Sequence, residues 1–318
     1  MRLSLRQIRY VAEVARLGSI QAAARSLAIS QSSILAAIER AEEAAGGAVF
    51  DRRPARGVTV TPVGERFLHA ARGLLAAQAE FVRAIDVLAE GTPPTVRIGC
   101  FEPFGPLFMT SVVRRYLDEV GPVEVSLMGG NQSEMHDWLA AGMVDVAVAY
   151  DIGPSFAASC TPICGVPTHA ILPASDPLAT LPAVRIMDLA ERPLVLLDLP
   201  HTSHFLLAVF ELYGRQPRVQ MRTRTYETVR SAVAAGLGVS VLNMRPLSSS
   251  SPDGRGLVRR PILDELPVPT LMVMDIYGAH KPRFVRRLID LIQRFFAEMG
   301  PRNFAVTLPG REGSLLRS

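Results

Sequence analysis

The chain has 318 residues, 48% of them hydrophobic, so it can bury an ample core and is long enough for two or three domains. Its net charge of +4 is too small to establish nucleic-acid binding by itself. No apolar run reaches the roughly eighteen residues of a membrane-spanning helix, and Arg2 and Arg6 precede no signal-like apolar stretch, so a cytoplasmic protein without a membrane partner is expected.

The first helix is predicted from Leu5, Ile8, Val11, Ala12 and Ala15, whose spacing makes one apolar stripe, and Gly18 ends it. Ser19 is placed to cap a second helix over 20–27, where Ala22, Ala23 and Ala24 allow close packing. After a turn at Ala28, Ile29 and Ser30, a third helix runs from Gln31 to about Ala45 with Ile34, Ile38 and Ala41 inward, and Gly46 and Gly47 stop it. Arg52, Arg53 and Arg56 follow, with a short returning strand over 58–60. Helix, turn, helix and basic wing together form an arrangement that grips DNA. The start of its second helix enters the major groove.

Gln31, Ser32, Ser33 and Leu35 are placed to reach base edges. Gln31 can bond adenine, the serines several bases, and Leu35 a thymine methyl. Ser19, Gln21 and Ser30 complete the candidate DNA-binding set, and the wing arginines suit phosphates or a minor groove. Residues 1–62 carry nine arginines against five carboxylates, which puts the basic excess where DNA would lie. An ordinary small helical core with a solvated charge run is the competing reading. The chain has one lysine, Lys281, a bias that reads as genomic composition.

From Val63 to about Leu88 a single long helix is predicted. Phe67, Ala71, Leu74, Gln78, Phe81, Ile85 and Leu88 form a heptad seam that implies a partner helix and hence a dimer. Leu68, Leu75 and Val82 form a second stripe suited to packing on the preceding domain. Gly91, Thr92, Pro93 and Pro94 make a hinge.

Strand-like and helix-like segments then alternate. Strands are predicted over 96–99, 123–128, 144–149, 170–173, 194–198, 219–223, 239–243 and 270–276, and helices over 107–120, 132–141, 205–213, 228–235 and 283–298. This is an α/β pattern with mostly parallel strands. Ligands of such sheets sit beyond the strands' carboxyl ends, near helix N-termini that favour anions. The rule selects Cys100, Phe101 and Glu102 after the first strand, Thr202 and Ser203 before a helix, Thr225 and Glu227 at another helix start, and Asn243 at a strand end. Each has a structural alternative: Ser203 as a helix cap, Phe101 as core, Glu102 as a surface charge.

Cys100, Cys160 and Cys164 lack histidines at metal-binding spacing, so no metal site or cofactor is expected, and Cys100 alone permits a thiol sensor. No phosphate loop, nucleophile elbow or zinc-binding helix is found, and His201 and His204 beside Thr202 and Ser203 have no acidic partner fixed by spacing.

The chain resembles the LysR-type transcriptional regulators from about Leu5 to Phe296. The resemblance rests on Gly18-Ser19-Ile20-Gln21-Ala22-Ala23-Ala24, Ser30-Gln31, Glu42-Glu43, Val49-Phe50-Asp51-Arg52 and Thr61-Pro62-Val63-Gly64-Glu65. Later matches include Leu139-Ala140-Ala141-Gly142, Asp176-Pro177-Leu178-Ala179 and the stretch from Thr228 to Val239. It implies a winged helix-turn-helix (1–62), a linker dimerisation helix (63–91) and a two-lobed periplasmic-binding-protein-like sensor domain (92–300). It also implies a homotetramer on double-stranded promoter DNA, a small co-inducer between the lobes, and no enzymatic activity. RNA polymerase is a further candidate partner. The family's proline after Ser-Gln and its arginine further along the reading helix are replaced here, by Ser32 and by Leu35 and Ala36. More dependence on methyl contact and the wing is therefore expected.

The helix starts at Thr202 and Ser203 favour an anion while Glu102 repels one, so a small polar or anionic metabolite is expected, with an amphoteric or amide-bearing one satisfying both. The competing function is a small-molecule sensor or α/β enzyme with a helical appendage that does not itself read DNA. Residues 248–254 read as a loop, and 301–318, broken by Pro301, Pro309, Gly310 and Gly313, as a mobile tail.

Overall fold

The computed structural model describes residues 3–53, 57–90, 93, 95–153, 158–246 and 256–316. The chain divides into two compact units, Met1–Leu88 with Ala140–Met143, and Ala89–Leu139 with Val144–Ser318.

The first unit begins with α1 (Leu5–Leu17), α2 (Ile20–Ser26) and α3 (Gln31–Ala45). Local chemistry sets each boundary. Ser4 and Gln7 form a reciprocal capping box on α1, and Gly18 closes it at a φ of 61°, in the left-handed region glycine tolerates best. Ser19 and Ser30 cap α2 and α3 by accepting from the Ala22 and Ser33 amides at 3.2 Å. Val11, Val14, Ala23, Ile34, Ala37, Ile38 and Ala41 pack into one core, with no solvent exposure at Ile34 or Ile38. The wing is a hairpin of β1 (Phe50–Arg53) and β2 (Gly57–Val60). It is tied to α1 by the Val58 amide donating to Gly18 O, and to α3 by the Val49 amide donating to Glu42 Oε1, both at 3.0 Å.

Helix α4 (Pro62–Glu90) follows. Its first turns belong to this core: Leu68 and Ala71 are buried there, with Phe67 and Leu75 packed alongside. Phe67 and Ala71 were expected on the partner-facing seam and are instead intramolecular, because the helix must cover the open side of the three-helix core before its chain leaves it. Val82, expected to pack inward with Leu68 and Leu75, is exposed. Further along the seam, Leu74 and Phe81 are 40% and 66% exposed and Gln78 is exposed. Ile85 and Leu88 lie on α4 with side chains outside the described set.

The second unit holds two sheets. The first, in order β4 (Glu124–Gly130), β3 (Thr95–Phe101), β5 (Val146–Tyr150), β12 (Thr270–Asp275), β6 (Ser159–Gly165), is flanked by α5 (Thr110–Val120), α6 (Gln132–Ala140) and α10 (Arg283–Met299). The second joins β8 (Leu194–Leu197) and β9 (Val219–Thr223) to β10 (Ser240–Leu242), β7 (His169–Pro173) and β11 (Leu257–Pro261) through a bridge from Leu194 to Val239. Helices α7 (Ile186–Ala190), α8 (Thr202–Glu211) and α9 (Tyr226–Ala234) accompany it. The chain crosses between the two lobes after β6 and returns before β12.

That double crossing overturns the expectation of mostly parallel strands. Among the described strands β3 pairs parallel with β4 and β5, and β8 with β9, whereas β12 pairs antiparallel with β5 and β6, and β7 antiparallel with β10 and β11. The helix predicted over 107–120 opens as a π-helical turn, Gly105–Met109. The expected mobile tail is also corrected: residues 301–316 include α11 (Pro301–Phe304), Phe304 and Leu315 are buried, and Gly165 N donates to Leu315 O at 2.6 Å. Two apolar anchors outweigh the scattered prolines and glycines. Residues 317–318, the 248–254 loop, Gly91, Thr92 and Pro94 lie outside the described residues.

Candidate functional site

The start of α3 presents Ser30, Gln31, Ser32 and Ser33 to solvent, and Gln21 is exposed on α2. Ser30 also contacts the hydroxyls of Ser32 and Ser33 at 2.9 and 2.8 Å, so the three serines form one small network at the helix tip. Ser19 is occupied as the α2 cap. Leu35 is half-buried whereas Ala36 is exposed, which shifts the outward face of α3 by one position. That face continues to Arg40, which with Ser33, Ala36, Arg6, Gln7 and Tyr10 borders a shallow groove of about 540 Å³. Sequence reasoning missed Arg40, although it lies four residues after Ala36 and therefore on the same side of the helix. Arg52 and Arg53 fall on β1, and Arg56 lies outside the described residues.

The second candidate site lies between the lobes. Glu102 is fixed at the end of β3 by its amide donating to Gly130 O at 2.7 Å. Its carboxylate reaches the other lobe and accepts from the Tyr226 amide at the start of α9, where Thr225 makes no side-chain cap. Burial raises the Glu102 pKa, the Tyr226 amide opposes that, and the Glu227 charge adds to it. Glu227 itself holds Arg230 through both oxygens at 2.6 and 2.7 Å.

Other expected contacts turn out to be structural. Phe101 is 2% exposed, edge-on to Phe104 and Tyr150. Asn243 Nδ2 donates to Val166 O and Thr168 Oγ1 at 3.1 and 3.0 Å, tying β10 to the crossing segment. Ser203 bonds back to Leu199 O through its hydroxyl at 3.2 Å. Thr202 and Ser203 lie inside the first turn of α8, whose cap position is His201 at a φ of 63°. Burial pushes the Cys100 thiol up to about 12, helped by the Glu102 charge, so its thiolate is scarce and the thiol-sensor reading loses its chemical basis. Asn131 and Gln132, missed earlier, follow β4 and open α6, a place the strand-end rule covers equally well.

At the start of β7 His169 is fully buried, with the backbones of Asn243 and Pro167 nearby. Burial, then the Arg259 charge, push its pKa down from 6.5 to about 3. Between those values the unfolded chain takes up a proton that the folded chain refuses, so this group lowers stability by about 1.4 kcal/mol for each unit that the pH falls. Urea unfolding at pH 7, 6 and 5 is expected to show a steeper loss for wild type than for His169→Gln. Parallel slopes would contradict it.

Residues 5–65 match the family described as "Bacterial regulatory helix-turn-helix protein, lysR family", and residues 89–297 match "LysR substrate binding domain". The chain belongs to the LysR family. This LysR-family protein is 29% identical over 272 residues to a CbbR regulator of Sinorhizobium medicae, covering 84% of each chain. It is 30% identical over 283 residues to the small neutral protease regulatory protein of Streptomyces coelicolor, covering 86% of this chain and 82% of that one. Its fold is similar to that of HinK, a LysR family transcriptional regulator from Pseudomonas aeruginosa, with a TM-score of 0.60, 28% identity and coverage of 92% and 98%. The LysR-family chain is therefore a DNA-binding transcriptional regulator with an effector-binding domain, not an enzyme. Regulators of this family bind promoter DNA and small-molecule effectors and oligomerise.

Proposed function

We propose that the chain reads promoter DNA with the tip of α3, through Gln31, Ser32, Ser33 and the Ala36 and Arg40 face, while the wing arginines hold phosphates. It acts in the cytoplasm as a dimer joined along α4 through Leu74, Gln78, Phe81, Ile85 and Leu88, and pairs of dimers form a tetramer that engages RNA polymerase. A small polar metabolite bound between the lobes of the second unit controls it. The observation that supports this most is the serine-capped, exposed start of α3, in the same compact unit as a hairpin that carries Arg52 and Arg53.

Base-edge and phosphate contacts make different signatures. Gln31→Ala is expected to weaken operator binding about tenfold with the salt slope unchanged, as a lost base contact does. Arg40→Ala is expected to weaken binding to all sequences and lower the slope by about one. Titrations against operator and scrambled DNA at several salt concentrations check both. Wild-type affinity in the two variants would remove α3 as the reading element.

A further inference from the structure

Gln132 is fully buried, and its Nε2 donates to Tyr150 O at 2.7 Å and Ile152 O at 3.1 Å. Both amide hydrogens are used, so Oε1 is fixed as an acceptor, and it is buried with no partner among the described residues. Two residues earlier, Gly130 O takes the Glu102 amide, so Glu102 stands next to it, and Glu102 Oε2 is likewise buried and unpartnered. The other lobe supplies Thr202, 4% exposed, whose Oγ1 has no partner either. His201, just before it, lines one cavity with Ile152 and Gly153, and a Cβ on Gly153 would lie 2.9 Å from its ring. The ends of β3, β4 and β5 are thus linked to one another, and the segment after β5 meets the cap of α8, with one unpartnered buried polar atom on each of Glu102, Gln132 and Thr202.

Buried polar atoms normally find partners, and the chemistry of those with none in the protein indicates what would meet them. Two of the three are acceptors, one of them a carboxylate with Glu227 close by. The α9 start is already occupied by Glu102, which leaves the ten-residue α8, with the Thr202 hydroxyl, as the place for an acceptor group. Resting on the reading of this cleft as the effector site, we propose that it takes a small zwitterion. Its ammonium donates to Gln132 Oε1 and Glu102 Oε2, and its carboxylate meets the Thr202 hydroxyl at the start of α8. A dicarboxylate would face Glu102 and Glu227 with nothing to donate to Gln132.

Succinate, γ-aminobutyrate and putrescine share a four-carbon chain and differ only at its ends. At about 10 mM, γ-aminobutyrate is expected to raise the thermal midpoint of the full-length protein by about 2 °C or more and succinate to leave it unchanged. Putrescine is expected to lie between them. Glu102→Gln keeps the side-chain volume and an acceptor but loses the charge, and is expected to erase the preference for the amine over succinate. A largest shift with succinate would overturn the ligand class while leaving the cleft as a binding site, as would an undiminished amine preference in Glu102→Gln. No shift with any of the three would count against the proposal and the cleft reading together.

Discussion

Lys281→Met is expected to destabilise the second unit by about 3–5 kcal/mol, the cost of leaving a buried carboxylate without its cation. Lys281 Nζ donates to Asp275 Oδ2 and Ser159 Oγ, both at 2.6 Å, and to Gly278 O at 2.9 Å. The Asp275 side chain is fully buried, and its Oδ1 accepts from the Tyr277 amide at 2.8 Å. One ammonium therefore joins the end of β12 to the start of β6, at the edge of the first sheet. Lysine occurs once in this arginine-rich chain, and it stands where a compact point donor with three hydrogens fits three acceptors. Lys281→Arg is expected to recover only part of the loss, and Lys281→Met with Asp275→Asn to recover more than Arg does. Urea unfolding of the four proteins checks the ranking. A loss below about 1 kcal/mol in Lys281→Met would place the pair with exposed ion pairs of little weight.

Gly64→Ala is expected to unfold the DNA-binding unit, costing about 3 kcal/mol or more. A Cβ at Gly64 would stand 2.1 Å from Val49 O and 2.8 Å from Val60 Cγ1. Neither can retreat cheaply. Val49 O also accepts from the Thr61 amide at 3.1 Å, and the Gly64 amide donates to Thr61 Oγ1 at 3.0 Å, so the start of α4 and the wing are bound through the same few atoms. Gly73, on the same helix, has nothing within 4 Å of its Cβ position, and Gly73→Ala is expected to stabilise by about 0.5–1 kcal/mol through helix propensity. Thermal unfolding of the two variants, with DNA binding measured alongside, compares like with like. A tolerated Gly64→Ala would mean that α4 docks on the wing differently.

The first unit was legible because its information is local. Caps at Ser19 and Ser30, stops at Gly18 and Gly46, and a period of 3.6 in the apolar residues each act within a few positions. The second unit was legible as alternating strands and helices but not as a sheet order, since strand direction depends on where the chain crosses between lobes. Two strands escaped notice. β6 carries Pro162 at an irregular register and β11 reads Leu257-Val258-Arg259-Arg260-Pro261, and both are edge strands, where proline and charge are tolerated.

The candidate cleft divided along similar lines. Strand-end position selected Glu102 and helix-start position Thr202, and the fold leaves each with a buried, unpartnered oxygen. Position alone could not tell that Asn243 and Ser203 spend their hydrogen bonds on the backbone, because those partners lie in segments brought together only by folding. Leu35 misled for a simpler reason: which residue of a helix tip faces outward depends on the rotation of α3 against α1, and the packing of Ile34, Ala37 and Ile38 turns Ala36 out.

The most direct test of the chain as an effector-controlled reader of promoter DNA is a footprint of the full-length protein on the DNA upstream of its own gene, at about 50 and 200 mM salt. Two protected half-sites related by a twofold axis, about one helical turn or a multiple of it apart, are expected, with protection fading steeply at the higher salt. Protection that is absent at both salts, or that spreads without sequence preference, would contradict α3 as a sequence-reading helix.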